Sequence, residues 1–328
     1  MSITTHTTTA VTRHRYGGIE QLAVEQRPVP ACRPDQVIVE VRAAGLDRGA
    51  WHLMTGEPYV ARLAFGLRRP RQPVLGGEMA GVVVEVGSEV TSLQVGDEVF
   101  GGASGAFAER VMAKPRSLAR MPASLSFAAA AVLPISGITA LQALRDIGRL
   151  QAGQRVLVIG ASGGVGTFAV QIAVAMGAEV TAVCSAGKAD AVRALGAVEV
   201  LDRHTQHIGG AGRHDVVLDI AGGSSIRQLR AALTPKGTVV LIGEEGGGTV
   251  FGMGRQLRAV ALSPFVRQRL RMMIATTKTA DLETLGAMAD AGTLRPVVHA
   301  VRRLEEVPAA IDDMTSGRIT GKVAIHVT

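Results

Sequence analysis

Cysteine is nearly absent from this chain of 328 residues: only Cys32 and Cys184 occur, far apart in sequence. Two thiols exclude a disulfide framework and any four-cysteine metal site, and they fit a reducing cytoplasm. Aromatic residues are scarce too, at 3% of the chain with one tryptophan and two tyrosines. No run of 18 apolar residues escapes interruption by glycine or charge, so no membrane span is expected. The opening stretch "MSITTHTTTAVTRHRYGG" is polar and threonine-rich and has no apolar segment of the signal-peptide kind. It is expected to be a short frayed tail.

Charge of one sign is not lacking, since the formal net charge is +7. The densest basic groups, "GLRRPRQP" at 66–73 and "RQLRAVALSPFVRQRLR" at 255–271, contain little aromatic interleaving. They read as solvated basic surface, and neither nucleic acid nor membrane is expected as a partner. Apolar residues make up 47% and charged residues 19%, which is a globular composition in a chain long enough for two cores.

The first 125 or so residues alternate short β-rich runs with turns, as in "QVIVEVRAAG", "GGEMAGVVVEVG" and "GDEVFGG". They predict a small, mostly β domain built as a partly open barrel. From Ser126 the rhythm changes. "SFAAAAVLPISGITALQALRDIG" reads as helix broken at Pro134, and five apolar strands follow, alternating with helical segments: "RVLVIG", "EVTAVC", "VEVLD", "DVVLDI" and "GTVVLIG". That alternation predicts a doubly wound parallel sheet, so the fold class is α/β. The closing strand–helix–strand pattern is expected to return to the first domain. The expected division is 1–125 with 293–328, and 126–292.

Within "VLVIGASGGVGTFAVQ" (156–171), Gly160, Gly163 and Gly166 stand three apart, with Gly164 added. The spacing is not the strict G-x-G-x-x-G, and the Lys-Ser/Thr ending of an ATP phosphate loop is missing. A strand expected to end at Ile159 and a helix expected to begin near Val165 nevertheless aim backbone N–H groups and a helix dipole at a pyrophosphate. Gly160, Ser162, Gly163, Gly164 and Val165 are the expected contacts. The next strand ends at Cys184 with no carboxylate for ribose hydroxyls; Ser185 and Lys188 follow, and Arg203 comes after the strand beyond. The Ser185 hydroxyl and the Lys188 ammonium suit a 2′-phosphate, and Arg203 stacks on the adenine or pairs with that phosphate, which favours NADPH over NADH.

These motifs, following a β-rich half, resemble the medium-chain dehydrogenase/reductase superfamily, and closely its zinc-independent quinone oxidoreductase-like branch. The resemblance is carried by "DRGAWHLMTGEPYVARLAFGLRRPRQPVLGGEMAGVVVEVG", "GASGGVGTFAVQIAVAMGAEVTAVCS", "ALTPKGTVVLIG" and "SPFVRQRL", and it covers nearly the whole chain. It implies a GroES-like substrate domain, a Rossmann domain, NADPH held between them, and a homodimer formed through the sheet edge around residues 258–276. Zinc-dependent relatives place cysteine at Asp47, histidine at Gly77 (ahead of Glu78) and a third cysteine near Ile135, so the resemblance implies no metal here. The branch usually carries asparagine at Asp47, and a polar residue at Ile220 of "DIAG".

Without a Lewis acid, conjugated acceptors are the easier substrates: hydride goes to an enone or quinone, and charge delocalises to an oxygen that needs hydrogen-bond donors and a proton. Asp47 is an acceptor from a ribose hydroxyl, a proton donor, or the cap of the following helix. Tyr59 offers an O–H to the developing enolate. Trp51 is pocket wall or core, and His52 reads as structural. Thr139 matches a family threonine near the nicotinamide amide, Gly243 allows close approach to the ring, Phe251 and Met253 are apolar pocket candidates, and Lys322 is a phosphate-contact candidate. The alternatives to quinone or enone reduction are a zinc-free alcohol or ketone dehydrogenase, and a non-redox enzyme on the same fold.

Overall fold

The computed structural model describes residues 7–210, 212–243 and 252–328. The first six residues of the expected tail, and residues 244–251 with Phe251 among them, lie outside the described residues. The rest of that tail is not frayed, because Thr7–Arg13 forms a strand in which Ala10, Val11, Thr12 and Arg13 are buried.

Among the described residues, seven strands come before the glycine turn: β1 (Thr7–Arg13), β2 (Leu22–Pro28), β3 (Val37–Leu46), β4 (Glu78–Val86), β5 (Glu98–Gly102), β6 (Arg110–Ala113) and β7 (Leu118–Arg120). Six more form the second sheet: β8 (Arg155–Ile159), β9 (Glu179–Cys184), β10 (Glu199–Asp202), β11 (His214–Asp219), β12 (Leu233–Leu241) and β13 (Arg269–Met272). Then come β14 (Val298–Arg303) and β15 (Lys322–His326).

β1 and β2 form an antiparallel pair. The larger sheet of the first unit runs β14-β15-β3-β4-β5-β7, with β6 also paired to β3. β15 lies antiparallel to β3, matching Val323 with Leu46 and His326 with Ala43. The closing segment therefore completes this sheet, as its strand–helix–strand pattern predicts. Val37, Val39, Val41, Met79, Val83 and Phe107 fill the core that the sheet encloses. Arg13 is buried beside it: its Nε donates to the Leu53 carbonyl at 2.7 Å and an Nη donates to that of Gln72 at 3.2 Å. Burial pushes this guanidinium down to about 10.

The second sheet is parallel throughout, in the order β10-β9-β8-β11-β12-β13. This is the doubly wound order of dinucleotide-binding folds. Its central strands β8, β9 and β11 are buried along nearly their whole length, and the helix Gly164–Ala175 is buried from Gly166 to Ala173. β13 is a sixth strand beyond the five expected from sequence. Only Leu270 of its four residues is buried, so charged neighbours hide its strand character.

Two compact units result. One takes the described residues up to 135, with 277–292 and 296–328, and the other takes 136–276 and 293–295. These bounds differ from the expected division in three places. Ala131 closes on β3 near Gly45, where an added Cβ would stand 2.5 Å from the Ala131 carbonyl oxygen. The helix Thr279–Asp290 packs on the first unit, with Gly286 close to Pro122 and Asp290 accepting from the Ser124 N–H at 3.1 Å. Residues 293–295 go to the second unit, where the Gln171 amide accepts from the Arg295 N–H at 2.8 Å and donates to its carbonyl at 3.0 Å.

Candidate active site

In the second unit β8 ends at Ile159, and Gly160 turns the chain with φ 90°, a conformation in which a side chain would be strained. The N–H groups of Gly160 and Ala161 both donate to the Val183 carbonyl, each at 3.0 Å, which pins the turn to β9. Gly163 is the N-cap of the helix Gly164–Ala175 and provides no side-chain cap. The ladder starts only where the Thr167 N–H donates to the Gly163 carbonyl at 3.0 Å, so the preceding N–H groups of the first turn lack intrahelical acceptors. Ser162, Gly163, Gly164 and Val165 are all half-buried, and therefore accessible. A Cβ at Gly166 would stand 2.2 Å from the Gly160 carbonyl oxygen, which shows how tightly the helix seats on the turn. Accessible amides at the dipole's positive end fit a pyrophosphate.

The next two strand ends are neighbours, with Cys184 of β9 opposite Asp202 of β10. The Arg203 N–H donates to the Cys184 carbonyl at 2.8 Å, and the Lys188 N–H donates to that of Ser185 at 2.9 Å. Ser185, Lys188 and Arg203 thus gather at one corner of the sheet. Burial, and then the charge of Arg203, holds the Lys188 ammonium below its ordinary value. Sequence reasoning passed over Asp202 in this corner. Its carboxylate is engaged by its own loop, accepting from the His204 N–H at 3.3 Å and the Thr205 hydroxyl at 3.0 Å.

Sequence reasoning also missed the ion pair of Asp219 with Arg255. Asp219 ends β11, is fully buried, and accepts from the Gly222 N–H at 3.1 Å. Burial pushes its carboxyl up, against the pull of Arg255. The Arg255 guanidinium reaches Asp219, the Ser224 carbonyl at 2.9 Å and the Gly243 carbonyl at 2.9 Å. It ties together the ends of β11 and β12, which explains why Gly243 sits where a Cβ would strike the Ile220 carbonyl oxygen at 2.0 Å. Thr139 lies in the helix Pro134–Gln142 at the margin of burial, and Met253 caps the helix Gly254–Leu262.

In the first unit Asp47 is the N-cap of the helix Arg48–Thr55, its Oδ1 accepting from the Ala50 N–H at 3.2 Å. A Cβ at Gly77 would lie 3.0 Å from Ile135 Cδ1 and 3.7 Å from Asp47 Oδ2, so these three positions converge. Beside them Glu78 accepts from the Ile135 N–H at 2.6 Å and from Lys322 Nζ at 2.6 Å. Burial pushes the Glu78 carboxyl up; Lys322 opposes the rise and Asp47 adds to it. Lys322 corrects the sequence expectation of a cofactor phosphate contact: its side chain is buried in the first unit and satisfied by Glu78, leaving no surface for a phosphate.

Trp51 packs partly buried on the first core, edge-on to His52 at 5.0 Å between centroids. His52 Nδ1 donates to the Glu57 carbonyl at 2.7 Å, which fixes the ring in the structural role expected. Tyr59 is exposed. The Arg62 guanidinium lies 4.3 Å from the Tyr59 ring and 4.5 Å from the Tyr16 ring, a double cation–π contact that sequence alone did not reveal.

Two family patterns match, an alcohol dehydrogenase GroES-like domain over residues 33–123 and a zinc-binding dehydrogenase over 195–325. The chloroplast envelope quinone oxidoreductase homolog of Arabidopsis thaliana is 30% identical over 94% of this chain and 95% of its own. The chain belongs to the medium-chain dehydrogenase/reductase superfamily, in its quinone oxidoreductase-like branch. It is therefore an oxidoreductase of the NAD(P)H-using kind. The quinone oxidoreductase of Coxiella burnetii superposes with a TM-score of 0.89 at 27% identity, covering 98% of this chain and all of that one. CurK enoyl reductase gives 0.87 at 28%, with 98% and 99% covered. A spectinabilin polyketide synthase system protein of Streptomyces orinoci is 36% identical over 94% of this chain, which spans only 14% of that protein's length.

The zinc-binding description does not fit the residues of this dehydrogenase/reductase. At the converging positions Asp47 offers one carboxylate, while Gly77 and Ile135 offer no donor, and Glu78 is taken by Lys322 and the Ile135 N–H. A catalytic zinc needs three protein ligands. Among the described residues no group of three histidine, cysteine or acidic side chains could supply them.

Proposed function

We propose that this oxidoreductase transfers hydride from NADPH to a quinone or an α,β-unsaturated carbonyl, without zinc. The observation that carries the reading is the convergence of Asp47, Gly77 and Ile135 with one donor among three. With no Lewis acid to polarise an isolated carbonyl, an acceptor that spreads the incoming charge by conjugation is favoured. The corner formed by Ser185, Lys188 and Arg203 supports a 2′-phosphate, and so NADPH.

Bound NADPH supplies the hydride. The Gly160–Val165 turn holds pyrophosphate through the unpaired amides of the helix start, and Thr139 and Gly243 are assigned to the nicotinamide. Asp47 Oδ2 accepts a hydroxyl while Oδ1 caps its helix, and the Tyr59 O–H donates to the oxygen on which charge develops. The product takes up one proton with the hydride, from Tyr59 or from water. Trp51 is assigned to the pocket wall.

The oxidoreductase is also proposed to be a cytoplasmic homodimer. β13 has a strand on one side only, and Leu257, Val260, Phe265 and Ile274 around it are exposed. Apolar surface of this kind next to a free strand edge suits a second copy of the chain. Both cysteines are free thiols, as a reducing compartment allows.

The test is oxidation of NADPH, and separately of NADH, by the purified protein with a panel of quinones, enones and simple ketones. Turnover with quinones or enones and preference for NADPH are expected. Cofactor binding without turnover on any acceptor overturns the proposal. Asp47→Asn separates the readings, since it should largely spare quinone reduction and cripple reduction of an isolated carbonyl.

A further inference from the structure

The second unit carries a cationic cavity that neither the glycine turn nor the Ser185 corner uses. On β13, Arg269 and Arg271 flank Leu270, which is 1% exposed in the core, so both arginines leave the opposite face. The π-helical turn Ala143–Gly148 ends nearby and Arg149 follows it. Arg149, Arg269 and Arg271, with Asp146 and Ile147, line a cavity of about 510 Å³.

The charge in this cavity is unbalanced. Asp146 is its one acid, and Arg145 already bridges that carboxylate with hydrogen bonds of 2.6 and 2.8 Å. Among the described residues, no carboxylate pairs with Arg149, Arg269 or Arg271. Like charges gathered without counter-ions raise the free energy of the empty site, and a bound anion lowers it.

The backbone gives a second, independent observation. Arg149 has φ 53° and is the one non-glycine residue with positive φ among the described residues. This is the helix-terminating position that glycine fills at least cost, and a side chain there is strained. A guanidinium is thus held at the cavity against the preference of its own backbone.

The register sets the place. Arg269 is level with Thr238 and, across the sheet, with Val216 and Val156 near the amino end of β8. Gly160 and Gly243 follow the carboxyl ends of their strands, whereas Arg149 precedes the amino end of β8 and Arg269 stands level with that end; Arg271, level with Val240 and Val158, carries the cluster two residues further along the edge strand. Planar guanidinium forks match phosphate oxygens in pairs, and the cavity has room for more than one phosphate group. We infer that Arg149, Arg269 and Arg271 form a second anion site, separate from the cofactor turn, that takes a diphosphate group.

Calorimetric titration of pyrophosphate into NADPH-saturated protein, at constant ionic strength, tests this. One saturable event is expected, tighter for pyrophosphate than for inorganic phosphate. It should weaken at least tenfold in R269Q/R271Q and in R149G, with NADPH affinity unchanged in both. R149G relieves the left-handed arginine, so its thermal midpoint should not fall and lost binding cannot be lost folding. ADP is the second probe: binding tighter than pyrophosphate assigns the diphosphate to a nucleotide and weaker binding to a free diphosphate, and both support the site. Absence of any event, competition with NADPH, an event unchanged in both variants, or tighter binding of inorganic phosphate overturns it.

Discussion

Lys322 Nζ lies 2.6 Å from Glu78 Oε1, and the two side chains are 3% and 0% exposed. Removing one partner of a buried pair strands the other charge, at a cost of about 3–5 kcal/mol. Lys322→Met is expected to lose that much in urea unfolding, and Glu78→Gln added to it should restore most of the loss, because glutamine still accepts from the Ile135 N–H. A change for Lys322→Met within about 0.5 kcal/mol, as for an ordinary surface substitution, would show that the pair carries no stability and would reopen a ligand role for the lysine.

The contrast between Lys322 and the glycine turn shows what the sequence could reveal. Gly160, Gly163 and Gly166 are local: strand, turn and helix lie within a few residues, so their spacing describes their geometry. Lys322 meets Glu78 from 244 residues away, and only the pairing of β15 with β3 beside β4 brings them together. Arg255 was hidden similarly, inside a basic stretch that reads as solvated surface, while its partner Asp219 ends a strand far upstream. β13 escaped notice because one buried leucine between arginines makes no apolar run. Asp47 was legible as far as its cap, but its convergence with Gly77 and Ile135 requires three separate segments to fold together.

Two substitutions in the glycine turn should part stability from cofactor binding. A Cβ at Gly166 would lie 2.2 Å from backbone, so Gly166→Ala is expected to destabilise the second unit and abolish NADPH binding together. At Gly163 the nearest atom is 3.5 Å away, an ordinary contact. Gly163→Ala should therefore keep the thermal midpoint while weakening NADPH binding about tenfold or more, measured by cofactor fluorescence titration, because the methyl crowds the amides meant for pyrophosphate. Unchanged affinity in Gly163→Ala would remove the turn from the cofactor site.

Asp47→Ala removes the side-chain acceptor for the Ala50 N–H, and about 0.5–2 kcal/mol of stability should go with it. Asp47→Asn keeps an acceptor and should stay within about 0.5 kcal/mol of the native protein in the same denaturation measurement. Equal losses in both variants would point to charge at this position instead of capping.

His214 is buried, its Nδ1 lies 3.3 Å from the Ala232 carbonyl, and burial holds its imidazole below the ordinary 6.5. The unfolded chain then binds a proton at pH values where the folded chain does not. This contribution to stability is complete above the ordinary value and is lost as pH falls through the folded one. The thermal midpoint of the native protein should drop relative to His214→Gln between about pH 7 and about pH 5. A difference that stays constant across that window contradicts the assignment.

Arg255 joins Asp219 to the Gly243 carbonyl, and Lys in its place cannot satisfy Asp219, Ser224 and Gly243 from one compact ammonium. Arg255→Lys should weaken NADPH binding with a modest loss of stability. Arg255→Gln, which leaves Asp219 buried and unpaired, should cost about 3–5 kcal/mol. Chemical denaturation and cofactor titration of the two variants give both quantities.

β3 accepts β15 along Ala43–Leu46, and Lys322 opens that strand. On the ribosome the first unit therefore waits. Until residue 322 and those beyond it emerge, one edge of its main sheet stays bare and Glu78 has no counter-ion, while every strand of the second sheet has been made by Met272. Vectorial synthesis thus sets an assembly order in which the later-made unit can close before the earlier one. A chain stalled or cut short of Lys322 presents a naked strand edge and an unneutralised interior carboxylate, a species prone to aggregation and to capture by quality-control factors.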